Sequence, residues 1–143
     1  MSGIERFPSV VADIMSSPVI TIGVDAKVID AAKIMAGKKI GSIIIMEGDR
    51  AVGIVTERDL LERVLGEGKD PSKVVMRDVM SSPLISIGKN TAILEAMRVM
   101  RRHDIRRLTV IEGEQLIGIV TERDILKAVV TLALASFRPL LEK

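Results

Sequence analysis

Two stretches of this 143-residue chain hold side chains whose types and spacing could do chemistry. Thr56-Glu57-Arg58-Asp59 and Thr121-Glu122-Arg123-Asp124 each set a hydroxyl three residues ahead of a carboxylate, both directly after Gly-Ile-Val. At a helix start, such a Thr accepts the N–H three residues on, and the acid reaches back to the N–H of the cap residue. The acid also complements the positive end of the helix dipole. The same groups suit a ligand: an ionised carboxylate accepts two hydrogen bonds from a cis-diol, and a helix N-terminus offers N–H groups to a phosphate. Arg58 and Arg123 either reach a phosphate or form salt bridges along an exposed helix face. Spacing alone leaves capping and binding both open. Glu57 with Asp59, and Glu122 with Asp124, have the types of an acid/base pair. No nucleophile or polarising group accompanies them, so no enzyme is expected and no catalytic residue is assigned.

The elements that must hold these residues are written twice. Asp13 to Asp59 matches Asp78 to Asp124 at a constant offset without a gap: DIMSSPVITIG is answered by DVMSSPLISIG, and VGIVTERDLL by IGIVTERDIL. Between residues 11–65 and 76–130 roughly 22 of 55 positions are identical, which marks a duplicated unit. In the first copy, Val19 to Ile22 has strand composition, and Asp25 is read as the cap of a helix with Val28, Ala31, Ala32 and Met35 on its inner stripe. Asn90 opens the matching helix, with Ile93, Ala96, Met97 and Met100 inward. Gly37 and Lys38 end the first helix, Ser42 to Met46 is a buried strand, and Glu47-Gly48-Asp49-Arg50 turns into a strand over Ala51 to Val55. A last helix runs from Thr56 to about Leu65.

The fold class is therefore α/β (α+β): two β-α-β-β-α units related by pseudo-twofold symmetry. The first, with its lead-in, spans residues 1–68, and the second, with a C-terminal helix, spans 69–143; together they make one module. A unit this small buries too little surface to be comfortable alone, and pairing leaves clefts between the two.

Composition narrows the functions. Apolar residues make up 48% and charged residues 28%, enough for a core and against disorder. There is no Cys and one His, His103, which removes thiol chemistry and leaves no set of ligands for a metal. His103 reads as a polar residue at a helix end. The net charge of +2 does not suggest general attraction to nucleic-acid backbones. No membrane span or signal peptide is read, and a cytoplasmic protein is expected. Trp and Tyr are absent, and Phe7 and Phe137 are the only aromatic residues, expected to anchor the two ends. The eight Met residues, including Met15/Met80 and Met35/Met100, read as core filler.

A strand ending in Gly-apolar-Val-Thr-x-x-Asp, within a duplicated unit of this order and after an SSPVITIG-type lead-in, resembles the cystathionine-β-synthase (CBS) domain family over residues 11 to about 130. The resemblance implies a tandem CBS-domain pair, a Bateman module, with two clefts for adenosine-containing ligands: AMP, ADP, ATP or S-adenosylmethionine. It implies that Asp59 and Asp124 hold the ribose hydroxyls, and that Thr56 and Thr121 approach ribose or phosphate. It also implies that Ser17, Pro18, Val19 and Ile20, with Ser82, Pro83, Leu84 and Ile85, wall the adenine. The Asp of one copy then faces the lead-in of the other. No cofactor is implied beyond that regulatory ligand.

The copies differ before the middle strand, where Lys38-Lys39-Ile40-Gly41-Ser42 is replaced by His103-Asp104-Ile105-Arg106-Arg107. By the resemblance, Arg106 and Arg107 are phosphate candidates. The cleft of Asp59, facing Pro83 to Ile85 and this Arg pair, is expected to be the stronger phosphate site. The cleft of Asp124 is expected to prefer a less charged ligand or to stay empty. The function expected is a sensor that signals occupancy to a regulated partner, as a homodimer. Two other readings are an assembly protein with vestigial nucleotide clefts, and a nucleic-acid-binding CBS protein using Arg101, Arg102, Arg106 and Arg107. Neither nucleic acid nor a membrane is an expected partner. Ala128 to Leu141 supplies partner contacts or covers the module's own core.

Overall fold

The computed structural model describes residues 7–141, with side chains through residue 136. Strand β1 (Thr21–Gly23), helix α1 (Val28–Lys38), strands β2 (Ser42–Glu47) and β3 (Arg50–Thr56), and helix α2 (Glu57–Leu60) form the first set of elements. Strand β4 (Ser86–Gly88), helix α3 (Ile93–His103), strands β5 (Arg107–Glu112) and β6 (Gln115–Thr121), and helix α4 (Glu122–Leu141) repeat it. Each set is β-α-β-β-α, as the periodicity requires. Each makes a three-stranded sheet in which the helix crossover sets the first strand parallel to the second, and a tight turn returns the third antiparallel. The turns place Gly48 and Gly113 at φ 61° and 64°, where a side chain would be strained.

The compact units in space are cut differently from the sequence copies 1–68 and 69–143. One is Val19–Leu84; the other joins the described residues up to Pro18 to those from Ile85 onward. Each lead-in has thus left its own copy. Ser81 exchanges both backbone hydrogen bonds with Ile54 on β3 (3.0 and 2.9 Å), and Ser16 does the same with Ile119 on β6 (2.9 and 3.1 Å). Burial follows suit: Met76 and Val79 lie fully inside the cluster of Val28, Ala31, Met35, Ile43, Ile45 and Val55, while Val11 lies inside that of Ala96, Met100, Leu108, Val110 and Val120. Ala32 is only half-buried, and Ile93, Met97, Met15 and Met80 pack at the cluster edges.

The lead-ins also correct two helix starts. Asp25 and Asn90 are not caps: α1 begins at Val28 behind Lys27, α3 at Ile93 behind Ala92, and neither start has a side-chain cap. The free N–H groups are met by distant carbonyls instead. Val28 donates to Val74 (2.8 Å) and Ile29 to Pro71 (2.9 Å), and Ile93 donates to Ser9 (3.1 Å). Asp25 turns to Arg77, at 3.5 Å.

The helices after the two Thr residues part company. After α2 the chain widens into a π turn over Leu61–Leu65, closed by Gly66 N–H donating to Leu61 at 2.7 Å. That turn brings Val64 into the core (1% exposed), whereas its counterpart Val129, on the uninterrupted α4, stays 51% exposed. Phe7 is 42% exposed, and the side chain of Phe137 lies outside the described residues. Among the described residues no helix is long and apolar enough to cross a membrane, and no group of three or more acidic residues or His is placed to hold a metal.

Candidate functional site

Both Thr–Asp corners sit where a buried strand becomes a helix. Val55 and Val120 are fully buried, and this fixes the strand ends from which Thr56 and Thr121 turn outward. Thr56 is extended (φ −110°, ψ 167°), so its hydroxyl lies over the first turn of α2 and accepts the Asp59 N–H at 3.2 Å. Asp59 Oδ2 accepts the Thr56 N–H at 2.8 Å. The second corner repeats this: Thr121 Oγ1 accepts from Asp124 N at 3.1 Å, and Asp124 Oδ2 accepts from Thr121 N at 2.8 Å. Capping accounts for these bonds fully.

It does not use every group. A carboxylate has a second oxygen, and a Thr hydroxyl that accepts still has a proton to donate. Asp124 Oδ1 meets no protein donor among the described residues, and neither Thr hydroxyl proton has a protein acceptor there. Asp59 Oδ1 has Arg63 Nε at 3.9 Å, beyond hydrogen-bond reach. The Asp59 side chain is 13% exposed, so this oxygen is shielded without being sealed.

Gly53 and Gly118, which open the repeated motif, have a packing reason. A Cβ built on Gly53 would stand 2.6 Å from Met80 Sδ and 3.0 Å from the Ser81 carbonyl oxygen; one on Gly118 would collide with Met15. The glycines let the lead-in press onto the strand just before the corner. Its pairing with β3 is antiparallel, so Val79 and Met80 lie toward the Thr56 end. There Arg63 Nη1 donates to both carbonyls, at 2.8 and 3.2 Å. Ser82, Pro83 and Leu84 lead on toward the start of β3. Composition did not single out Arg63, though its place four residues after Asp59 on a helix is the signal that finds it.

Of the wall residues, Ser17, Pro18, Ser82 and Pro83 are exposed, and both Ser–Pro bonds are cis. Val19, Ile20, Leu84 and Ile85 are half-buried. The Ile20 carbonyl accepts from Ile44 (3.2 Å), and that of Ile85 from Thr109 (3.3 Å). Sheet bonding thus engages them, while the backbones of residues 17–19 and 82–84 meet no protein hydrogen-bond partner among the described residues. Thr109, the one buried polar side chain among those described, bonds Ser86 Oγ at 2.5 Å, a partnership no motif announced.

The basic candidates separate. Arg58 turns from Asp59 to Glu62 (2.7 Å), and that hydrogen bond and charge raise its already high pKa. Arg123 has Lys127 where Arg58 has Glu62, and makes no ion pair among the described residues. Arg107 pairs with Thr121 in the β5–β6 register, and the Arg106 carbonyl accepts the Glu122 N–H at 2.9 Å. Within its unit the Arg pair therefore adjoins the corner of Asp124. The Arg106 side chain is 81% exposed, 3.8 Å from Glu122.

Comparison with known proteins agrees with this architecture. The CBS domain model matches residues 11–66 and again 76–131. An uncharacterized protein of Methanopyrus kandleri is 39% identical over 119 residues, covering 82% of this chain and 61% of its own length. Hypoxic response protein 1 of Mycobacterium tuberculosis is 32% identical over 126 residues, covering 87% and 88%. The chain thus spans less than two thirds of the archaeal relative and most of the mycobacterial one. A solved structure of a CBS-domain protein from Burkholderia ambifaria superposes with a TM-score of 0.80 at 30% identity, covering 85% of this chain and 94% of that one. With two matches over most of its length, each on one β-α-β-β-α set, the chain belongs to the CBS domain family as a tandem pair.

Proposed function

We propose that this tandem pair is a regulatory sensor whose Thr–Asp corners bind the ribose and phosphate of adenosine-containing ligands: AMP, ADP, ATP or S-adenosylmethionine. The observation that carries the reading is the hydrogen-bonding capacity left after capping. Asp124 keeps one carboxylate oxygen to accept from a ribose hydroxyl, and Thr121 keeps a hydroxyl proton to donate. The unengaged backbone of residues 17–19 and 82–84 has the donors and acceptors an adenine edge requires, and the neighbouring aliphatic side chains suit a chain without Trp or Tyr. Occupancy reaches a partner through any difference in ligand affinity between two conformations. Self-association belongs to the same reading: α4 exposes Leu126, Val129, Val130, Leu132 and Leu134, and a cyanobacterial CBS-CP12 protein of the same fold is hexameric.

The decisive variants are Asp59→Asn and Asp124→Asn, because Asn keeps an oxygen for the cap and replaces the second acceptor with a donor. Isothermal titration with AMP, ATP and S-adenosylmethionine, after mass spectrometry of small molecules released from denatured protein, tests the reading. The expected result is binding by the parent chain and a loss of at least about tenfold in one or both Asn variants, with unfolding midpoints preserved. Unchanged affinity in both variants, or no binding by the parent chain, overturns it.

A further inference from the structure

We infer that residues 61–66 form a two-register switch: the π register clasps the second lead-in through Arg63, and the α register of their counterpart lets it go. Every group of the switch lies inside the unit Val19–Leu84 and is bonded within the protein, so it does not depend on the ligand reading above. Leu61 and Leu126 hold matched positions and are equally exposed, so the helices after the two corners run in one register to that point. Three residues on they disagree. The π turn rotates Val64 into the core and Arg63 outward, whereas on α4 Val129 faces out and Ala128 is half-buried.

Two substitutions between the copies account for this, though neither announces a π turn by its type alone. Arg63 stands where the other copy has Ala128. In the α register its guanidinium would be directed to that inner position, where a charge without partners is costly. The π turn carries it to the carbonyls of Val79 and Met80, which Nη1 reaches at 2.8 and 3.2 Å. Gly66 stands where the other copy has Thr131. A Cβ on Gly66 would lie 3.0 Å from the Leu61 carbonyl oxygen and 3.2 Å from that of Glu62. The first is the oxygen that accepts the Gly66 N–H and closes the π turn, so a side chain crowds the π register at its closing bond. The clasp is made only in the π register. Withdrawing the Val79 and Met80 carbonyls therefore shifts the population toward the α register, and the position of the lead-in is translated into helix register and the exposure of Val64.

The chain has no Cys, so one introduced thiol reports burial directly. In the full chain, Val64→Cys should react with a disulfide reagent such as dithiobis(nitrobenzoate) far more slowly than Val129→Cys. Adding Arg63→Ala and Gly66→Thr, the residues of the other copy, should speed Val64→Cys by at least about tenfold. Val28→Cys, in the same core cluster, should keep its parent rate. Arg63→Lys keeps a charge and a donor, so it should hold Val64→Cys within about threefold of the parent rate. Gly53→Ala, which crowds Met80 and Ser81, should speed Val64→Cys relative to Val28→Cys, and should do so much less once Arg63 is replaced by Ala. An unchanged Val64→Cys rate in Arg63→Ala/Gly66→Thr overturns the switch. So does equal acceleration of Val28→Cys, which would mean that the whole unit loosens. An effect of Gly53→Ala that is the same with and without Arg63 overturns the link to the lead-in.

Discussion

Replacing Gly53 with Ala probes the contact that seats the second lead-in against the first sheet. The added Cβ would stand 2.6 Å from Met80 Sδ, 3.0 Å from Met80 Cγ and 3.0 Å from the Ser81 carbonyl oxygen. Normal carbon–carbon contacts lie near 3.5–4.0 Å, so the Met80 side chain has to withdraw by about 1 Å. The carbonyl cannot follow freely, because Ser81 is tied to Ile54 by two backbone hydrogen bonds. Overpacking of this kind costs about 1–3 kcal/mol. The Ala gains back about 0.4–1 kcal/mol by restricting the unfolded chain. A net loss of about 1–2 kcal/mol is expected in urea unfolding followed by far-UV circular dichroism, a suitable probe for a chain without Trp or Tyr. The double variant Gly53→Ala/Met80→Ala removes two of the three close atoms, so it should be less destabilised than the sum of its parts by about 1 kcal/mol. Strict additivity, or a Gly53→Ala protein as stable as the parent, would refute the packing argument.

The remaining expectations concern the cap and a surface carboxylate. Thr56→Val removes the acceptor for the Asp59 N–H and should cost about 1 kcal/mol in the same urea assay, while Thr56→Ser should stay within about 0.5 kcal/mol of the parent; equal losses would show that the hydroxyl does not cap. Asp70 Oδ1 accepts from Ser72 Oγ (2.7 Å) and Ser72 N (2.9 Å), and these bonds hold its carboxyl below the ordinary carboxylate range. The stabilisation from this lowered pKa is present above the unfolded pKa and is lost as pH falls through the folded one. An NMR titration should therefore show Asp70 protonating at lower pH than in unfolded chain, with Ser72→Ala moving the midpoint up; an unmoved midpoint contradicts the assignment.

What could be read from residue order was what depends on neighbours within about four residues or on the duplication itself. The β-α-β-β-α order follows from apolar periodicity and turn residues, and the Thr–x–x–Asp cap closes over three residues, so both were legible. Asp25 and Asn90 show where local reading stops. They have the chemistry of caps, yet the helix ends behind them are satisfied by carbonyls of Val74, Pro71 and Ser9, and an unremarkable carbonyl leaves no mark on the residue type that supplies it. The π turn that buries Val64 while Val129 stays exposed was equally invisible, since the two residues are identical.

The chain by itself determined that there are two copies, that each carries one Thr–Asp corner, and that no aromatic platform accompanies them, because these are matters of residue identity at fixed spacing. Only the tertiary structure decided which lead-in completes which sheet. Strand pairing and burial act between residues far apart in the chain: Ile54 meets Ser81, Ile119 meets Ser16, and Arg106 meets Glu122. The contacts that seat each lead-in on its sheet are backbone hydrogen bonds between distant residues, and no local pattern of side chains encodes them.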